Sequence, residues 1–322
     1  MAKRKHLPSG PPPSQRRGES GPPRRRLPEG AALRAELRKL DGFIAQQPRH
    51  FAALSLRALY LGLDDRWQEA CRDVDEAIGL VPHGDPAELE ILSLRAMVRR
   101  ELGDLAGALA DLDQLAGVKP NPPTLAARGE VHRRLGNVED ALADLNRSIG
   151  NSSEDPFAFI ARGRVYLTEG RPGAAIADFE SALRLDPDGI TPFHHRAKAR
   201  RAKGDRVGAL VDWYSAVQLS RQRLARDPLD TRAMTWIAWI NAHELQEDLP
   251  EALALMERVR ANLDECERRI DFLEPMGLVQ FHLGNLEEAL RLLERAHEIC
   301  PLDVEMQARL AKVRRAAGLG EA

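Results

Sequence analysis

Residues 156–187 read PFAFIARGRVYLTEGRPGAAIADFESALRLDP. Two helix-forming stretches are parted by Gly170 and Pro172. Each is short, with small residues at Gly163, Ala175 and Ala182 and aromatic ones at Tyr166 and Phe179. A glycine reaches the left-handed conformation that ends a helix, and a proline suits the first turn of the next, where no amide donor is missed. The stretch therefore predicts a helix, a tight turn and a second, antiparallel helix. Small residues mark where the two cross, because bulky ones would push the axes beyond the usual separation of about 8–10 Å.

This unit recurs. Counted by the small residue of the first helix, its copies centre on Ala58, Ala96, Gly129, Gly163, Ala197, Ala238 and Gly277, with gaps of 38, 33, 34, 34, 41 and 39. Twelve residues further on stands an alanine, at Ala70, Ala108, Ala141, Ala175, Ala209 and Ala289; in the sixth copy the gap is fourteen and reaches Ala252. Gly163 and Ala175, and their equivalents, are expected to meet at the crossing. Seven later come Ala77, Leu115, Ser148, Ala182, Ala216, Val259 and Ala296, and the second helix then often closes on a proline, as at Pro82, Pro120, Pro187 and Pro301. Gly103, Gly136, Gly170, Gly204 and Gly284 hold the turns. Most are followed by Asp or Asn (Asp104, Asn137, Asp205, Asn285), which are expected to cap the next helix. A two-helix unit cannot bury its apolar face alone, so a period near 34 means a stack in which neighbours share one core.

Gly163, Tyr166, Ala175, Phe179 and Pro187, spaced and recurring in this way, resemble the tetratricopeptide repeat (TPR), with Arg162 where that family usually has leucine. The resemblance covers about residues 49 to 301. It implies an all-α, right-handed α-solenoid of about seven helix-turn-helix pairs over 31–301, with a C-terminal capping helix and tail over 302–322. It also implies a concave groove lined by the first helix of each pair, in which a scaffold holds a segment of a partner protein.

Composition agrees with a helical chain: aromatic residues are 5% of the 322, and no apolar run is long enough to span a bilayer, so no membrane partner is expected. The first thirty residues differ in kind. They carry seven of the 21 prolines and eight basic residues (Lys3, Arg4, Lys5, Arg16, Arg17, Arg24, Arg25, Arg26) against Glu19 and Glu29, a net of +6, which leaves the rest at −8. With few apolar residues to pack, 1–30 is expected to be a disordered basic arm, and no apolar stretch follows its basic residues to make a signal peptide. Its clusters suit an acidic surface or nucleic acid, or a nuclear address in a eukaryotic source. A solubilising extension is the simpler reading, since no aromatics are interleaved to stack on bases. Three widely spaced cysteines, Cys71, Cys266 and Cys300, fit a reduced, cytoplasmic setting.

Chemistry-bearing patterns do not emerge. There is no P-loop, no His-Glu-x-x-His and no Gly-x-Ser-x-Gly elbow, and the adjacent pair His194 and His195 point about 100° apart on a helix. A non-enzymatic chain without cofactor or metal is expected.

One ionic pattern has a mechanism. Arg57, Arg95, Arg128, Arg162 and Arg196 precede the small residue, and Asp73, Asp111, Asp144, Asp178 and Asp212 lie sixteen residues later. In the last two copies the two places hold Ile237 with Leu255 and Met276 with Leu292. Arginine and aspartate come and go together, as partners across antiparallel helices would.

Helical periodicity outward from the small position gives the groove. Its centre gathers Arg100, Glu130, Arg133, Arg134, Arg164, Lys198 and Arg201, with His194 and Ile160 beside them. Its far end gathers Trp239, His243, Phe281 and His282, with Asp271 and Glu274 nearby. The peptide-groove candidates are thus Arg100, Arg133, Arg134, Arg164, Lys198, Arg201, Trp239 and Phe281, and the expected partner is an acidic or mixed protein segment. The resemblance does not extend to the TPR proteins that grip acidic chaperone tails: the corresponding places hold Ser55 with Leu59, or Ser93 with Met97, and the asparagine is absent. The other function in view is a nucleic-acid-associated factor whose arm supplies affinity while the solenoid recruits protein.

Overall fold

The computed structural model describes residues 30–64, 66–118, 120–152, 154–262, 266, 270–299 and 304–319. The basic arm lies outside these residues apart from Gly30, as do Cys300 and Pro301. The described residues form sixteen α-helices and one π-helical segment, and no strand. The seven pairs are α2 (Phe51–Leu63) with α3 (Trp67–Leu80), α4 (Pro86–Leu102) with α5 (Leu105–Val118), α6 (Pro122–Leu135) with α7 (Val138–Asn151), α8 (Pro156–Thr168) with α9 (Pro172–Leu185), α10 (Ile190–Ala202) with α11 (Arg206–Arg226), α12 (Thr231–Trp239) with α13 (Leu249–Asn262), and α14 (Ile270–His282) with α15 (Leu286–Ile299). α1 (Gly30–Gln46) precedes the first pair and α16 (Val304–Ala316) follows the last. α1 buries Leu33, Leu37 and Ile44 in the core of the first pair.

The turn signals act as their chemistry dictates. All five turn glycines have φ between 66° and 90°. Asp104 and Asp205 cap the next helix by accepting from the amides of Gly107 and Gly208 at 2.9 and 2.8 Å. The two asparagines do not follow this rule: the Asn137 amide lies 3.4 Å from His132 Nδ1, and the Asn285 amide donates to Gln280 Oε1 at 2.7 Å.

The sixth pair explains its own odd spacing. α12 runs on into a π-helical segment, Ile240–Leu245, which widens the turn, and the two extra residues before Ala252 fall within this segment and the turn after it. Gln246 and Asp248, at φ 56° and 47°, then turn the chain into α13.

Packing at the helix crossings corrects one expectation. A Cβ on Gly163 would stand 2.6 Å from Phe179 Cε1, and one on Gly129 or Gly277 would stand 2.7 or 2.8 Å from Leu145 or Leu293 Cγ. The small residue meets first the bulky side chain sixteen positions on, and the alanine at twelve after it: the Ala141 carbonyl oxygen would lie 3.2 Å from a Cβ on Gly129. Size is exchanged across the crossing: Val74, Leu112, Leu145, Phe179, Trp213 and Leu293 are all buried over a small partner.

The arginine–aspartate pairs are all formed. In each, Nε and Nη2 donate to the two carboxylate oxygens: 2.6 and 2.8 Å for Arg57–Asp73, 3.0 and 2.6 Å for Arg95–Asp111, 2.6 and 2.8 Å for Arg128–Asp144, 2.8 and 2.7 Å for Arg162–Asp178, and 3.0 and 2.7 Å for Arg196–Asp212. Such forked pairs are among the stronger hydrogen bonds a protein makes. Hydrogen bonding to Asp73 and Asp144, opposed by burial, holds Arg57 and Arg128 above the ordinary guanidinium value.

For three of the five arginines a second acceptor ties the unit to the element before it. Nη1 of Arg57, Arg128 and Arg162 donates to Asp41, Asp113 and Asn146 at 3.0, 2.9 and 2.8 Å. The ladder is thus intra-unit and inter-unit at once, and Asp41 brings α1 into it. Where it ends, apolar packing takes over: Ile237, Leu255, Met276 and Leu292 are buried in the largest hydrophobic cluster, which runs from α10 to α16.

Candidate functional site

First helices lie beside one another along the stack, α2 against α4, α4 against α6, α6 against α8 and α8 against α10. Their inward side chains form one concave face. The curl of the stack brings its ends near: Arg232, at the start of the sixth pair, donates to the Gly62 carbonyl in the last turn of α2 at 3.3 Å. A cation there meets the negative end of a helix.

The centre of this face is a cluster of guanidinium groups around one carboxylate. Glu130, buried on α6, accepts from Arg133 Nε and Nη2 at 2.8 and 2.9 Å and from Arg164 Nη1 at 2.9 Å. Arg134 Nη1 donates to the Arg100 carbonyl at 2.6 Å, while Arg100 bonds Glu101 and lies 5.5 Å over the Phe157 ring. Among the described residues, the carboxylates bonded to these four arginines are Glu101 and Glu130, so the cluster keeps a surplus of positive charge. Its cost shows in the ionisation: burial, with the charges of Arg133, Arg134 and Arg100, pulls Arg164 below the ordinary guanidinium value against the pull of Glu130. Burial opposes the charge on Glu130 too, but the hydrogen bond from Arg133 and the charge of Arg164 win, and its carboxyl titrates below the usual range.

His195 reports the same field. Its ring stacks on Phe179 at 5.8 Å, and burial, then Arg164, His194, Lys198 and Arg133, hold its pKa well below 6.5. A histidine depressed in the folded state binds its proton more readily when unfolded. The stability it confers is therefore present above pH 6.5 and lost as pH falls below it, by up to about 1.4 kcal/mol per pH unit. Urea midpoints measured from pH 7.5 to 5.5 are expected to fall more steeply for the natural chain than for His195→Gln; parallel curves would remove His195 from the account.

The other sequence-derived candidates sit within the molecule's own packing. Arg201 reaches across to Glu244 of the π segment at 2.5 Å and lies over Trp213 at 5.1 Å. Lys198 stands on α10, half-buried. Trp239 is held between His194, edge-on at 4.6 Å, and His243, stacked at 4.7 Å. α16 closes over this end: Arg309 donates to His243 Nε2 at 3.1 Å and pairs with Glu274, and the Lys312 ammonium rests 5.2 Å over Phe281.

An open volume of the face lies elsewhere. A chamber of about 760 Å³ lies over the first three pairs and the start of α8, walled by Phe51, Leu56, Leu59, Leu94, Met97 and Phe157, with Glu90 and Arg100 on α4. The sequence signal for it is the set of places where a carboxylate clamp would stand: Ser55, Leu59, Ser93 and Met97 all line it.

Family models described as tetratricopeptide repeat match residues 93–156, 126–190 and 160–223, and a further one matches 275–313. Together they cover more than half of the chain, and with the pairs described above they place it plainly: the chain belongs to the tetratricopeptide repeat family. Among curated proteins none matches it by sequence. Its fold is similar to that of the crystal structure of the APC/C hetero-tetramer Cut9-Hcn1, at 15% identity and TM-score 0.61, covering 90% of this chain and 54% of that one. It is also similar to the human IFIT1 dimer with PPP-AAAA, at 15% identity and TM-score 0.55, covering 83% and 68%. A tetratricopeptide repeat protein from Parabacteroides merdae matches at 17% identity and TM-score 0.48, covering 82% and 98%. These likenesses are of fold. Members of the family are in general protein-interaction scaffolds rather than enzymes, and no described helix is long and apolar enough to cross a membrane.

Proposed function

We propose that this chain is a scaffold whose concave face holds a segment of a partner protein, with acidic side chains of that segment over the arginine cluster of α4, α6 and α8. The observation that carries the reading is four guanidinium groups, Arg100, Arg133, Arg134 and Arg164, sharing Glu101 and Glu130 on one inward face. A surplus of fixed charge in a concave site steers and orients an oppositely charged ligand. Lys198 and Arg201 extend the cationic track. Trp239 and Phe281 mark its far end, where they help seat α16.

Arg134 is the exposed member of the cluster and its guanidinium meets a backbone carbonyl, so it is the place to test. Arg134→Glu with Lys198→Glu is expected to weaken capture of a poly-glutamate peptide by tenfold or more while leaving helicity intact, and capture by the natural chain is expected to decline with salt. Equal capture by both proteins would refute the acidic-segment site.

The second reading, nucleic-acid association through residues 1–30, rests on their net charge of +6. Deleting them is expected to leave the unfolding midpoint unchanged and to remove only a salt-sensitive attraction to polyanions. Retention of RNA or DNA by the full chain at about 0.2 M salt, lost on the deletion, would make that reading the better one.

A further inference from the structure

The chamber over α2, α4, α6 and the start of α8 meets the arginine cluster only at Arg100 and is not explained by it. Its walls are apolar, and the polar groups at its edge are largely spent. Ser55 Oγ donates to the Phe51 carbonyl at 2.8 Å, Asp155 caps α8 by accepting from Phe157 N at 2.9 Å, and Arg100 Nε and Nη2 bond Glu101. An extended peptide laid here would carry backbone amides and carbonyls into a site with few partners for them, which is costly. A helix satisfies its own backbone and offers an apolar stripe.

Shape and charge give the occupant a direction. Glu90 and Arg100 are ten residues apart on α4, about 15 Å along the helix axis, so the chamber has an acidic and a basic end about three turns apart. Its volume of about 760 Å³ accommodates the side chains of such a stripe. The chain's own first thirty residues offer no such apolar stripe, with seven prolines and eight basic residues among them.

We propose that this chamber receives an amphipathic helix of a partner protein, with its apolar stripe on Leu59, Leu94, Met97 and Phe157 and its acidic end at Arg100. The proposal rests on the reading of the concave face as the partner-binding face and shares Arg100 with it, but its apolar anchors are separate from Arg134 and Lys198. The two are therefore separable.

The test uses the full chain and a fluorescent helix-forming peptide with leucines at i, i+3, i+4 and i+7, a lysine before them and glutamates after. Saturable binding is expected. Leu59→Gln and Met97→Gln, checked for unchanged helicity, are each expected to weaken it about tenfold or more, since anchors in the centre of a groove carry most of the affinity. The Arg134→Glu, Lys198→Glu protein is expected to retain most of it. Binding lost in the glutamine variants but kept in the charge variant supports the chamber even where the acidic-segment site fails. The proposal is overturned by no binding, by equal binding to the glutamine variants, or by equal binding of a proline-interrupted peptide of the same composition. A concentration-dependent dimer that Met97→Gln dissolves would also overturn it, assigning the chamber to a second copy.

Discussion

Asp178→Leu alone is expected to destabilise the solenoid by about 3–5 kcal/mol, because removing one partner of a buried ion pair leaves the other charge without compensation. Asp178 is 7% exposed and Arg162 19%, and the fork between them is closed at 2.8 and 2.7 Å. The guanidinium then keeps Asn146, through Nη1, and the Phe159 and Tyr166 rings at 5.8 Å, all weaker partners than a carboxylate. Arg162→Leu combined with Asp178→Leu is expected to recover much of the loss, since the molecule already contains the apolar solution in Ile237 with Leu255 and Met276 with Leu292. Urea unfolding of the two single variants, the double variant and the natural chain closes the cycle. A coupling energy near zero would mean that the pair contributes nothing as a pair, and five recurrences would need another cause.

The second acceptor predicts a gradation along the ladder. Arg57, Arg128 and Arg162 each tie two units, whereas Arg196 shares Asp212 with Arg200, which donates from Nη1 at 2.9 Å. Neighbour coupling sets how far an unfolding event spreads in a repeat stack. Exchange protection on removal of Asp113 or Asn146 is therefore expected to fall in two adjacent pairs.

The fold was legible because its signals are local. A glycine that must reach positive φ, a proline at a first turn and a small residue at a crossing each act within a few residues, and their recurrence at one period is hard to produce otherwise. The Arg–Asp partners were legible for a different reason: covariation among copies inside one chain acts as its own alignment. What was hidden depended on the third dimension. Asp41, Asp113 and Asn146 meet an arginine of the following unit at offsets set by linker length. Trp239 and Phe281 look like groove aromatics by periodicity, yet α16 and the His194 and His243 rings occupy them. Glu130 read as one charge among arginines and is the carboxylate that organises them. The chamber is hidden in the sequence because Leu59 and Met97 stand where a charged clamp would, and apolar residues on a helix do not by themselves mark an open volume.

Gly163→Leu is expected to cost more than the roughly 1–3 kcal/mol of an ordinary overpacked core site. Even the first carbon of a side chain meets the Phe179 ring at 2.6 and 2.8 Å, closer than any real Cβ contact, and Phe179 is wholly buried with no free end to swing aside. The α8–α9 crossing must therefore open, which breaks the Arg162–Asp178 fork one residue away on each helix. Steric and ionic losses should then fall together, and the variant is expected to lose helicity at lower urea than Asp178→Leu. Returning the volume identifies the cause. Because the other crossings exchange a small residue for a large one, Gly163→Leu with Phe179→Ala is expected to regain a substantial part of the stability, while Phe179→Ala alone costs about 3–5 kcal/mol for its cavity. If the double variant were as unstable as the sum of the two single ones, Gly163 and Phe179 would not be opposed, and the register that places every first helix against its second would be wrong.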